Sequence, residues 1–202
     1  MLPYPKTYRS YLMAAILSVA ATACIKDKIG EDAPAVHLTA SEKLSIPASV
    51  ELPANLPEGN IRVATYYAIG VQQYKAKEKV GSNPLAYEWT FVAPRADLYD
   101  AANKKAGVHG AGPFWSVSTG DSLAAQSFSP ARTAPSIDAG SIDWLLLMPK
   151  AGRTPTGIFA HVQYIQRIAT KGGKAPSTPP ADAQQTAEIP YEAVYRFTKK
   201  KS

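Results

Sequence analysis

Short apolar segments that alternate with a period of two recur along this chain, separated by Pro- and Gly-rich punctuation, and after residue 24 no convincing amphipathic helix interrupts them. The last segment is the clearest: Ile189, Tyr191, Ala193, Tyr195 and Phe197 alternate with Glu192, Val194 and Arg196. Tyr87, Trp89 and Phe91 alternate in the same way with Glu88, Thr90 and Val92. Side chains two apart share one face of a strand, so each segment offers one face to a core and one to its surroundings. Elements of this kind bury their apolar faces only by sheet-on-sheet packing or by closing a sheet on itself. The expectation is an all-β single domain, an antiparallel β-sandwich or barrel of about seven or eight strands.

The remaining segments fit this frame. Ile61 to Tyr74 is dense in β-branched and aromatic residues, with Gly70 as a bulge, and Ser82-Asn83-Pro84 turns the chain. Pro94 is expected to end the strand over 87–92, and Asp100 to Gly107 to form a turn. Ser122 to Phe128 reads as a strand closed by Pro130 and Pro135, and Ile142 to Met148 as a buried strand too short for a helix. Ile158 to Ile168 alternates again, and Lys171 to Gln185, with Gly172-Gly173, Pro176, Pro179 and Pro180, is a surface loop or flap.

Residues 1–23 read as an export signal: Lys6 and Arg9 lead an apolar stretch from Tyr11 to Ala20 that is too short to span a bilayer. Ala21-Thr22-Ala23 is a small-x-small cleavage site, and Cys24, the only cysteine of 202 residues, follows it directly. The arrangement resembles a bacterial lipoprotein box in which Cys24 is acylated, which places the protein on the cell envelope, at the outer membrane in preference to the inner; free secretion is the alternative. With no second cysteine there is no intrachain disulfide, and the fold stands on its core alone. Residues 24–50 change character and read as the anchor cysteine and a flexible tether, residues 51–198 as the β domain, and residues 199–202 as a basic tail. Without residues 1–23 the chain carries 20 basic against 16 acidic residues, three of the basic ones being Lys199, Lys200 and Lys201. A nucleic-acid-binding domain concentrates positive charge on its body, so nucleic acid is not an expected partner.

The stretch Gly107 to Trp115 (GVHGAGPFW) is the sharpest local feature. Its glycines and Pro113 hold His109, Phe114 and Trp115 in set directions, as a loop built for recognition would. Gln166 and Arg167 form a second candidate, because an Arg at a strand end clamps a carboxylate or phosphate through paired donors. His109, Trp115, Gln166 and Arg167 are the expected ligand-binding residues; the bland alternatives are a core histidine and an Arg lying over aromatic neighbours. No metal site is expected, since only His109 and His161 lie in the body, and no cofactor loop is recognisable. A nucleophile elbow is lacking as well, which leaves a hydrolase using His109 with an acid such as Asp121 as the enzymatic alternative.

With these segments laid out, the body resembles the bacterial and fungal domain-of-unknown-function family numbered 3455. The resemblance is carried, in order, by Leu56-Pro57-Glu58-Gly59, Gly70-Val71-Gln72-Gln73-Tyr74, Phe91-Val92-Ala93-Pro94 with Ala96-Asp97-Leu98, His109 through Ala111-Gly112-Pro113 to Trp115, Trp144 to Leu147, Tyr164 to Arg167, and Pro190-Tyr191 with Ala193 and Tyr195. It implies no catalytic residues, because the family is named for having no assigned function. It also implies a departure: relatives carry two cysteines where this chain has Ala76 and about Pro180, so a bridge is missing as a unit. The expected function is a non-catalytic binding module that takes a small molecule, a glycan or an envelope protein.

Overall fold

The computed structural model describes residues 33–53, 59–118 and 120–201, and in it eight antiparallel strands close a barrel in sequence order. They are β1 (Asn60–Glu78), β2 (Tyr87–Tyr99), β3 (Lys105–Gly110), β4 (Phe114–Ser118), β5 (Asp121–Ala134), β6 (Trp144–Pro149), β7 (Tyr164–Gly172) and β8 (Thr186–Lys200). Each strand pairs with the next, and β8 returns to β1 over a long register from Asn60↔Lys200 to Lys75↔Thr186. The all-β expectation holds, and closure selects the barrel over the sandwich, which removes every free sheet edge along the paired register.

Period-two alternation sends one set of side chains inward. Tyr191, Ala193, Tyr195 and Phe197 of β8 meet Tyr66 and Ala68 of β1, Ala96 and Leu98 of β2, Trp115 of β4 and Leu123 and Ala125 of β5 in one buried cluster. Alanines facing rings let the aromatics fit inside a narrow barrel. One end is plugged by a 3-10 turn, Gly157–Phe159, whose fully buried Phe159 lies 4.6 Å from the Phe197 ring. The expected strand over 158–168 is therefore two things: a plug to about residue 163, including His161 at φ 65°, and β7 from Tyr164 on.

Other expectations are corrected by the same geometry. Pro94 does not end β2; it pairs with Gln72 of β1 and lies beyond the β2–β3 register, which starts at Ala96↔His109, so its missing N–H falls where β2 is paired on one side only. β5 continues through Pro130 by shifting register between Ser127 and Arg132. Gly70 is no bulge: a Cβ there would lie 2.1 Å from the Arg95 carbonyl oxygen, so glycine is needed for the close approach of β1 to β2. Nor do Lys199 and Lys200 form a free tail, since they close the β8 register opposite Ile61 and Asn60.

The expected tether is the largest departure. Residues 1–32, including Cys24, lie outside the described residues. From Ala33 on, helix α1 (Pro34–Ser41) and the strap that follows it lie on the outer face of β1, β6, β7 and β8. Leu38 and Val50 are buried there with Tyr67, Trp144, Leu146, Ile168 and Val194, and His37 stacks on Tyr67 at 4.3 Å. Polar contacts fix the register: Arg196 donates to the Ser41 carbonyl at 2.8 Å and pairs with Glu42 at 3.3 Å, and Glu42 also pairs with Arg62. A buried guanidinium held through Nη2 by a backbone carbonyl and a carboxylate is a costly group to strand, which ties the strap to the barrel.

Candidate functional site

The stretch Gly107 to Trp115 is a hairpin instead of a free loop. β3 and β4 flank a turn at Ala111–Pro113, and His109 stands directly opposite Trp115 in the ladder. Both point into the barrel, where the imidazole stacks on the indole at 4.5 Å and 10°. Tyr195 of β8 closes the group, 4.8 Å from His109 and 5.2 Å from Trp115. Arg167 enters from β7 and Gln72 from β1. Around them a cavity of about 360 Å³ opens at the end of the barrel away from Phe159, rimmed by Phe91, Val92 and Pro113. Phe91 and Val92 are each half exposed, which makes the entrance apolar.

Arg167 donates from Nε and Nη2 to the Asp143 carbonyl at 3.1 and 2.7 Å, which aims its guanidinium inward. Among the described residues no carboxylate pairs with it. Its charge is felt by His109, Tyr74, Tyr191 and Tyr195, all of which surround it. Burial holds the Tyr191 phenol well above its ordinary range and raises that of Tyr195, so both are neutral donors.

His109 is 4% exposed and its Nδ1 sits 2.8 Å from the Phe114 carbonyl. A carbonyl only accepts, so Nδ1 carries the proton and Nε2 the lone pair. Burial lowers the imidazole from 6.5 to about 4, the Phe114 carbonyl opposes that shift, and Arg167 adds to it. His109 is therefore neutral at neutral pH. Because the folded value lies below the unfolded one, its contribution to stability is complete above pH 6.5 and is lost as pH falls toward 4. Compared with His109→Phe, which keeps a ring on Trp115 and cannot titrate, the wild type should lose up to about 3 kcal/mol across that window. Urea unfolding at a series of pH values reads this difference, and parallel pH profiles for the two proteins would contradict it.

Three of the four expected residues come together: His109, Trp115 and Arg167 line one cavity. Gln166 does not join them. It is 3% exposed on the opposite face of β7, where its Nε2 donates to the Val50 carbonyl at 2.8 Å beneath the strap. Neighbouring residues of a strand face opposite ways, so Gln166 and Arg167 never shared a surface. Asp121 is at the plugged end, its carboxylate against Gly157 and near enough to raise the Tyr66 phenol, and it does not partner His109. Gln72, Phe91 and Tyr195 were missed as site residues. Gln72 carried a readable signal, a lone polar side chain in phase with Tyr66 and Ala68 on the apolar face of its strand.

Among the described residues no group of three or more metal-ligating side chains occurs. No curated protein and no solved structure matches this chain. The ordered stretches from the β1 entry through the His109–Trp115 hairpin to β8 nonetheless belong to one pattern: residues 57–199 match the family described as Protein of unknown function (DUF3455), and the chain belongs to that family.

Proposed function

We propose that the barrel is a non-catalytic binding module that takes a small, largely apolar molecule into its open end, on a chain held at the bacterial envelope by an acylated Cys24. The observation that carries the binding reading is the cavity itself. It lies within the size range of small-molecule sites, is walled by Leu145, Leu147 and the stacked His109–Trp115 pair, and opens through an apolar rim. At about 360 Å³ it matches the liquid volume of roughly a dozen water molecules, and so an occupant of about that many heavy atoms. The envelope reading is supported by Lys6, Arg9, the apolar stretch to Ala20 and the sequence Ala21-Thr22-Ala23-Cys24. Turnover has less support, since His109 is neutral, is held by a backbone carbonyl and has no carboxylate among the described residues to orient it.

Thermal unfolding in the presence of a panel of one-ring and two-ring aromatics, neutral and anionic, tests the reading. A ligand at about a hundred times its Kd stabilises by roughly 2.7 kcal/mol, a rise of several degrees in Tm for a domain of this size. Ser127 is exposed at the rim, and Ser127→Trp should plug the entrance and abolish the shift. A panel without any stabilising member, or a shift that survives the plug, would contradict the proposal.

A further inference from the structure

Resting on that binding reading, we propose that the occupant carries a carboxylate, seated on Arg167 with Gln72, Trp115 and Tyr195 as neutral donors around it. Three of these side chains are almost wholly buried: Gln72 is 2% exposed, Trp115 0% and Tyr195 1%. Gln72 Nε2 and Trp115 Nε1 nevertheless have no hydrogen-bond partner among the described residues, the Tyr195 hydroxyl lies beside Arg167 and Tyr191, and all three residues line the same cavity as Arg167. Native interiors leave few polar atoms in this condition, because an unmade bond at a buried donor is costly. The indole N–H can only donate, and the guanidinium holds donors alone. Arg167 spends Nε and Nη2 on the Asp143 carbonyl, and the guanidinium lines the cavity beside the Tyr195 hydroxyl. A cation and several donors that converge in an apolar pocket require a partner that accepts and carries negative charge. A carboxylate does both, with two oxygens and about four lone-pair sites. Water could satisfy the donors singly, but it would leave the guanidinium without a counter-charge.

The size of the cavity and its stacked aromatic wall set the rest of the ligand: an aryl or short alkyl body of about ten heavy atoms beyond the headgroup. Phenylbutyrate and its neutral isostere phenylbutanamide are suitable probes, followed by isothermal titration calorimetry with the purified chain. The acid should bind wild type at least about tenfold more tightly than the amide. Arg167→Gln should weaken the acid far more than the amide and bring the two affinities together, whereas Arg167→Lys, which keeps the charge and loses the fork, should retain part of the preference. Far-UV circular dichroism checks that each variant folds, and if Arg167→Gln does not, Arg167→Lys and the acid-to-amide ratio in wild type still decide. Equal binding of acid and amide to wild type, or a preference that persists undiminished in a folded Arg167→Gln, overturns the carboxylate inference while the binding module stands. Binding of neither probe overturns the carboxylate inference, and a panel of aromatics that also fails to stabilise the chain overturns the binding module with it.

Discussion

Gly70→Ala is expected to destabilise the barrel by on the order of 3 kcal/mol or more, the upper part of the range for overpacking. Its new methyl would sit 2.1 Å from the Arg95 carbonyl oxygen and 2.5 Å from the Ala96 Cα. Both are backbone atoms of β2, and no rotamer change can move them aside. β1 and β2 would have to separate in the middle of a ladder that runs from Tyr67↔Tyr99 to Glu78↔Tyr87. Strands that share a closed barrel cannot part locally without loosening the interior around Ala68, Ala96 and Leu98. Urea denaturation gives the result directly. A midpoint that leaves stability within about 1 kcal/mol of wild type would mean that the strands are not held this close.

Removing residues 1–52 should cost more still. Leu38 and Val50 are each buried in the outer-face cluster, and full burial of a side chain of this size stabilises by about 1.5–3 kcal/mol. Their removal would also expose Tyr67, Trp144, Leu146, Ile168 and Val194, and would leave Gln166 and Arg196 without the Val50 and Ser41 carbonyls. A loss of roughly 5 kcal/mol is a large share of the total stability of a domain, so the shortened chain should melt well below the full one or fail to fold. If residues 24–50 were a flexible tether, the two chains would melt together.

The strands were legible because a barrel interior enforces period two, and Tyr191 to Phe197 obey it except at Val194, an apolar residue on the outer face that the strap covers. The strap was not, for a physical reason: Leu38, Leu44, Ile46, Val50 and Leu52 follow neither helical nor strand spacing, and their order comes from the outer face they cover. Pro94 misled because a proline stops a strand only where its N–H is needed, and register alone shows that it is not. In the site, the hairpin carried its own signal, since a short turn between His109 and Trp115 brings them opposite each other. Gln166 could have been excluded from the sequence, because it is one residue out of phase with Arg167. What no spacing reveals is that β1, β4, β7 and β8 aim Gln72, Trp115, Arg167 and Tyr195 at one space, which depends on barrel closure.

The open end of the barrel as the ligand site is tested most directly by a crystal structure with phenylbutyrate bound. Electron density is expected inside the barrel, with the carboxylate on Arg167 and within reach of Trp115 Nε1 and the Tyr195 hydroxyl, and the phenyl ring between Leu147 and the rim at Phe91. A ligand seated instead in the groove under α1, beside His37 and Trp144, or a cavity filled by its own collapsed side chains, would contradict it.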